Sequence, residues 1–442
     1  MLIQKLNLQT KLVLLFSLLF LAPLQAGPLG AGVDLDDTLF PQKSSSEIQL
    51  RILITRISQD LTIESGRGIN IEDKRGRKIF SDSQNTSFQF TRDGKDILLQ
   101  YSGKIKKLPR EIHVYSNARP EVLGINGKKY RGSLRVIYRN DLLWLINRVG
   151  LEDYLYSVVP GEFMTRYPQM ARAQAVVART FALGHIDFMK DDCFDFSSST
   201  RFQVYKGCCT EEEISREAID DTRGLVMASE GRLVKYPLYH STCGGSTDNN
   251  ETVFLSAPIS YLRNTVCVEG EESQADFSDE NRIIDSNNDE LCRISKYHRW
   301  EVNWGYDEMV RNINEYFKEK DVNEIKKIEV RHRGPSGRAK EIFIDTDKGA
   351  LIVEGDKIRN LLKFKNPSGN MSSLYSTRFV LTRKGEGKKA TWAARGTGWG
   401  HGLGMCQFGA LELAKRGFDY PEILKKYYQG IEIVPYNTIN PR

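Results

Sequence analysis

Between residue 47 and about residue 148 the chain alternates apolar and polar positions in short runs: IQLRILI, DILLQYS, EIHVYS, LRVIYR and LLWLINRV. Alternation of period two turns one face of each run toward a core and the other toward solvent, which predicts strands. The intervening segments ESGRG, EDKRGRK, TRDGKD and INGKKYRG carry the Gly, Asp and Asn residues of tight turns. This region reads as a β-rich domain of hairpins.

The pattern changes at Pro168. Proline suits a first helical turn, and Met170, Val177 and Phe181 recur at helical spacing. In AQAVVARTFA almost every residue is small or apolar, which predicts a buried helix. A second helix is expected near residues 210–222, with Glu211, Glu212 and Glu213 in its first turn, where the helix dipole favours them. LVKYPLYHST reads as strand, and residues 268–290 form a polar, acidic stretch expected to be a surface loop or insertion. Residues 326–383 return to strands and turns, with RGPSGRAKEIFID and DTDKGALIVEG as hairpins. A Gly-rich loop, a helix over about 406–416 and a helix over about 420–428 close the chain. The predicted class is α+β: a β-rich N-terminal region (47–124), then a mixed α+β domain (125–435) with a β-rich insertion near 326–383.

Length and composition bound the function more than they define it. A chain of 442 residues suggests two or three domains, and 40% apolar with 27% charged residues is ordinary for a globular protein. A formal charge of +6 is small for this length, so no nucleic-acid partner is expected. The N-terminus is more informative. Lys5 and Lys11 precede an apolar run over residues 12–24, and Leu24-Gln25-Ala26 offers a cleavage site before Gly27. That layout predicts a secretory signal peptide over 1–26, then a linker over 27–46. An uncleaved anchor is the alternative, and membrane contact is expected only in that case. The protein is thus expected in the periplasm or cell-wall space, where disulfides are permitted. Its seven cysteines are odd in number, so at least one is free, intermolecular or metal-bound, and none has CxxC spacing.

Four stretches carry candidate chemistry. In VVPGEFM, Glu162 sits in a Pro-Gly turn among apolar neighbours before the buried helix. A semi-buried carboxyl keeps its proton toward neutral pH, as a general acid must; the alternative is a solvated helix-end charge. Arg179, inside the apolar helix, requires a partner when buried: either Glu152 or Asp153 as a structural pair, or Glu162 or substrate. Gln174 poses the same question. In PLYHSTCGGST, Tyr239, His240, Ser241 and Cys243 crowd a strand end; His240 and Cys243 have HxxC spacing, but two ligands do not make a metal site. Cys243 is expected either in a disulfide or in a small metal site with Cys267, Cys292 and His298. Finally, GTGWGHGLG places five glycines in nine residues, which lets the backbone approach a ligand or another segment closely. It is neither a phosphate-binding P-loop nor a dinucleotide fingerprint. His401 within it faces a polar cleft or is hydrogen-bonded in the loop, and the structural role is the expectation.

Together these stretches resemble the stage II sporulation protein D (SpoIID) family, the domain also known as the amidase enhancer. The resemblance starts with INGKKYRGSLRVI and LINRVGLEDYLYSVVPGEF. It continues in order through AQAVVARTFA, FQVYKG, DTRGLV, YHSTCGGSTDNNETVF, YHRW and GTGWGHGLGMCQFGALELAKRGFDYPEILKKYYQGIEI, about the last three hundred residues. It implies a peptidoglycan lytic transglycosylase that prefers glycan strands stripped of stem peptides and works beside a cell-wall amidase. Glu162 falls on the family's catalytic glutamate, and Arg179, Tyr239 and Ser241 on positions around its glycan cleft. Some members carry a Cys and His cluster before the QVY motif, consistent with zinc. Here that run holds Ser197, Arg201 and Phe202, and Cys406 stands where serine is common. No cofactor is therefore expected, zinc at the Cys243 group being the exception left open.

Overall fold

The computed structural model describes residues 47–58, 60–118, 121–186, 193–199, 202–269, 280–284 and 289–439. The expected signal segment and linker lie outside the described residues. The chain divides into two units, one reaching Val226 and taking in Pro435–Asn437, the other covering Met227–Val434. Helices and strands are mixed, and strands alone fill the described residues from 47 to Gly150, so the class is α+β with a β-rich start.

In the first unit a seven-stranded sheet runs in the order Phe196–Ser197, Gln49–Ile57, Leu142–Gly150, Ser133–Arg139, Glu111–Ser116, Ile69–Asp73, Lys78–Asp82. A six-stranded sheet runs Lys128–Arg131, Val122–Ile125, Leu61–Glu64, Ser87–Asp93, Asp96–Tyr101, Lys104–Leu108. The alternation read from the sequence sets their faces: Phe88 and Phe90 are buried while Ser87 and Gln89 are exposed, and Ile112 and Val114 point inward. The turn between paired Arg139 and Leu142 consists of Asn140 and Asp141, both at positive φ (52° and 58°). Two left-handed residues match the right-handed strand twist, and Asn and Asp tolerate that conformation better than most residues.

Strand Leu142–Gly150 feeds directly into helix α1 (Leu151–Glu162), followed by α2 (Pro168–Gly184) and α3 (Glu213–Asp221). Two expectations are corrected here. Pro160 and Gly161 do not form a turn; they lie in the last turn of α1, and Glu162 is its final residue. Proline removes one backbone donor and strains a helix interior, but two residues from the end little helix remains to be broken. Burial of Tyr154, Leu155, Val158 and Val159 stabilises the helix up to that point. The other correction concerns α3, which begins at Glu213. Glu211 lies outside it and makes a bidentate pair with Arg131, 2.6 Å from both Nε and Nη2.

The second unit has two three-stranded antiparallel sheets, Ile325–Arg333 with Ala339–Thr346 and Gly349–Glu354, and Arg299–Gly305 with Thr391–Thr397 and Phe379–Lys384. The first of these contains both predicted hairpins. Helix α4 (Tyr306–Tyr316) shares a core with them, including Trp304, Met309, Ile313, Ile342, Ile344 and Trp392. Helices α5 (Gln407–Lys415) and α6 (Tyr420–Tyr427) lie close to their expected bounds. LVKYPLYHST is less regular than expected, with only Arg232–Leu233 and Tyr239–His240 in strands. The Gly-rich loop explains why. Tyr239–His240 pairs in parallel with Met405–Cys406, and Thr242 bridges Trp399. A Cβ on Gly400 would stand 2.7 Å from the His240 Cβ, and one on Gly404 2.0 Å from the Leu238 carbonyl oxygen. The glycines thus allow one backbone to lie flat along another.

Candidate functional site

Glu162 is half-buried, and its Oε1 accepts a 2.6 Å hydrogen bond from the Val204 backbone N–H. That donor belongs to FQVYKG, which reaches the carboxylate because residue 161 is glycine: a Cβ there would stand 2.9 Å from the Val204 carbonyl oxygen. The loop is itself anchored. The Tyr154 hydroxyl donates to Gln203 Oε1 at 3.2 Å, and the Tyr205 hydroxyl donates to Asn147 Oδ1 at 2.6 Å. Asn147, fully buried, donates from Nδ2 to the Arg131 and Ser133 carbonyls. Rings of Tyr205, Tyr154, Phe196 and Phe202 pack in that order, with Tyr154 and Tyr205 4.9 Å apart. Burial, and secondarily the charge of Glu162, pushes the Tyr154 hydroxyl well above its usual range, so it stays a donor. The Val204 N–H hydrogen bond fixes the carboxyl in position, and a fixed position suits proton transfer.

Arg179 has no exposed surface. Its Nε and Nη2 make a bidentate pair with Glu152 at 2.9 and 2.6 Å, Nη1 donates to the Leu225 carbonyl, and Nη2 also donates to the Ile219 carbonyl. Of the two acidic partners considered, Glu152 is the one used; Asp153 lies 3.9 Å from Arg131 instead. A guanidinium so enclosed cannot face a solvent-borne polymer, so the substrate-contact expectation is replaced for Arg179 by a role in fixing α1, α2 and α3 together. Gln174, also fully buried in α2, is interior for the same reason.

At the end of α2, buried His185 stacks on Phe181 with ring centroids 3.9 Å apart, and its Nδ1 lies 2.7 Å from the Phe181 carbonyl. Burial lowers its pKa from 6.5 to about 4, the carbonyl opposing only in part. The native state therefore resists protonation where the unfolded chain takes up a proton. Stability is full above pH 6.5 and is lost as pH falls toward 4, by about 1.4 kcal/mol per pH unit at most and roughly 3 kcal/mol in total. Denaturant titrations at pH 7 and pH 5 should show this loss, and His185→Gln should flatten it.

The remaining candidates lie in the second unit. Tyr239 is half-buried and Ser241 buried. His401 is 7% exposed; its Nδ1 accepts from the Leu403 N–H at 3.0 Å, so its Nε2 carries the hydrogen donated to the Tyr239 carbonyl at 3.0 Å. Burial, with the neighbouring His240, keeps it neutral. This is the structural alternative of the two expected for His401. His240 is likewise neutral, its pKa lowered by burial to about 3, with Nδ1 3.1 Å from the Leu403 carbonyl. His298 Nε2 pairs with Glu290 at 2.5 Å, and its Nδ1 lies 3.7 Å from Cys292 Sγ. Cys243, Cys267 and Cys292 are fully buried and form no disulfide. Ahead of the QVY motif, Ser197 and Ser199 hydrogen-bond each other at 2.8 Å.

Two segments of the chain match family models, and several curated proteins are similar to it. Residues 139–228, which contain α1, Glu162, α2 and FQVYKG, match the family model described as stage II sporulation protein. Residues 248–404 match a family described only as a domain of unknown function (DUF8618). An uncharacterized protein of Brachyspira hyodysenteriae is 31% identical over 318 residues, covering 72% of this chain and 75% of its own. The stage II sporulation protein D of Bacillus amyloliquefaciens is 24% identical over 309 residues, covering 65% of this chain and 75% of its own. The amidase enhancer of Bacillus subtilis is 25% identical over 306 residues, covering 64% of this chain; the match spans only 40% of that longer protein. With the ordered motifs from INGKKYRG to KKYYQG and the matched segment over residues 139–228, the chain carries a stage II sporulation protein domain and resembles the stage II sporulation protein D family.

Proposed function

We propose that the protein is a lytic transglycosylase that cleaves the bond between N-acetylmuramic acid and N-acetylglucosamine in peptidoglycan glycan strands, with Glu162 as its acid/base. The observation that carries the reading is the half-buried Glu162 carboxyl, fixed at the end of α1 by the Val204 N–H. Protonated, it gives its proton to the glycosidic oxygen as that bond breaks. As a carboxylate it then takes the proton from the muramic C6 hydroxyl, which attacks C1 and closes a 1,6-anhydro ring. Because the nucleophile belongs to the substrate, one protein carboxyl suffices. Hydrolases commonly employ two, about 5–9.5 Å apart.

On this reading the catalytic region spans residues 125–435, the protein is exported by its N-terminal apolar segment, and its preferred strands have lost their stem peptides. Tyr239, whose side chain is partly exposed, is a sugar-binding residue. The similarity to an amidase enhancer favours a second reading, a non-catalytic wall-binding partner of an N-acetylmuramoyl-L-alanine amidase. Incubating the chain with peptide-free glycan strands and with intact sacculi, followed by mass spectrometry, separates the two. The transglycosylase yields 1,6-anhydro ends. A folded protein that binds both substrates, releases nothing and accelerates an added amidase is the enhancer.

A further inference from the structure

The second unit brings together four cysteines that are far apart in the sequence. Cys243 follows strand Tyr239–His240, and Cys267 follows the short helix Asn250–Val253. Cys292 lies in the turn Leu291–Ile294, and Cys406 caps the N-terminus of α5. Each is fully buried, and the four Sγ atoms all lie within 4.8 Å of one another. Cys406 is remote in sequence from the other three, and no two of the four have metal-motif spacing. Cys406 enters the group only through the parallel pairing of Met405–Cys406 with Tyr239–His240.

We propose that Cys243, Cys267, Cys292 and Cys406 together bind one tetrahedral zinc ion. The spacing favours this over the alternatives. Cys243 and Cys292 Sγ are 3.7 Å apart, close to the edge of about 3.8 Å of a tetrahedron with Zn–S bonds of about 2.3 Å. Two disulfides would instead draw the sulfurs into two pairs at about 2.05 Å. A four-iron cluster places a cube of metal and sulfide between its cysteines and needs them wider apart.

The surroundings are built for thiolates. Cys406 Sγ accepts from the Cys243 N–H at 3.2 Å and from the Gly409 N–H at 3.4 Å, and it sits at the positive end of α5. The Tyr427 hydroxyl lies 3.1 Å from Cys267 Sγ. Residue 409 must be glycine, since a Cβ there would stand 2.5 Å from Cys267 Sγ and 2.1 Å from the Tyr427 hydroxyl oxygen. Binding converts four thiols and Zn²⁺ into a tetrathiolate centre with release of four protons, leaving a net charge of −2. Two fully buried guanidiniums lie where they offset it: Arg338 donates to the Cys243 carbonyl at 3.0 Å, and Arg378 donates to the Gly244 carbonyl. These outer contacts fix the loops that carry the ligands, as second-shell groups do at structural metal sites. With all four positions filled by protein and no exposed sulfur, the centre is structural and leaves no open position for substrate. It stands independently of the transglycosylase reading.

The test uses the full chain, purified without chelator. Elemental analysis is expected to find one zinc per chain, released when a mercurial blocks the thiols. The intact mass after zinc removal should be that of the fully reduced polypeptide. Cys406→Ser should lose most of its zinc, while Cys193→Ser, altering a cysteine of the first unit, should retain it. If Cys406→Ser does not fold, cobalt(II) substitution of the unmodified chain decides through the thiolate charge-transfer absorption of a tetrahedral site. Metal-free protein with a mass lower by four hydrogens would replace the proposal with two disulfides. Metal-free protein with all thiols reduced, or cobalt protein without the tetrahedral spectrum, would also overturn it.

Discussion

Glu162→Gln is expected to lower the rate of 1,6-anhydro end formation by about 10²–10⁴-fold, the range that a positioned acid/base contributes. The substitution is close to isosteric. Gln keeps an Oε1 that can accept the Val204 N–H now 2.6 Å from the carboxylate, so FQVYKG keeps its anchor. Gln has no titratable proton to give to the glycosidic oxygen and is no base for the C6 hydroxyl. Turnover should therefore fall while glycan binding and the unfolding midpoint change little. Mass-spectrometric product counts and thermal melts on the same preparations check both halves. If anhydro ends form at the unmodified rate, the acid/base assignment is wrong. If no product arises from either protein and amidase stimulation survives the substitution, the enhancer reading stands.

Arg179→Leu carries the largest expected stability loss, about 3–5 kcal/mol. The reason is what remains behind. Glu152 is itself buried, and without the bidentate guanidinium its carboxylate has lost its charge partner in the interior. The Leu225 and Ile219 carbonyls lose a donor as well. Arg179→Lys should recover only part of this, because an ammonium is a point charge and does not match the two parallel bonds to a carboxylate. Glu152→Gln combined with Arg179→Leu should cost clearly less than the sum of the two single changes, since the double variant leaves no uncompensated buried charge. Denaturant unfolding of the four proteins measures this coupling. A structural role also predicts that the folded fraction of Arg179→Lys keeps its turnover. A specific loss of turnover at unchanged stability would return Arg179 to the substrate.

Much of the first unit was legible because strand alternation and turn chemistry are local. Phe88 and Phe90 face inward as their period dictates, and Asn140-Asp141 turns the chain as its residues allow. Helix α2 was equally plain, with proline at its first turn and apolar residues all round. The run up to Glu162 was harder, since Pro-Gly is a turn signal by local rules. Burial of the preceding residues extends α1 through it, and no local propensity reports that burial.

The sequence by itself determined the α+β class and the buried helix that begins at Pro168. It also required Arg179 to have a partner, because a buried guanidinium needs one. Only the tertiary structure decided which partner. Glu152 and Asp153 are adjacent in the chain, yet one turns to Arg179 and the other toward Arg131. The same holds for the cysteines: the chain announces their number, but Cys406 reaches Cys243 only once the Gly-rich loop lies along the segment that precedes it. Periodicity and turn residues act over a few neighbours, whereas pairing of charges and convergence of thiols depend on distances closed by the whole fold.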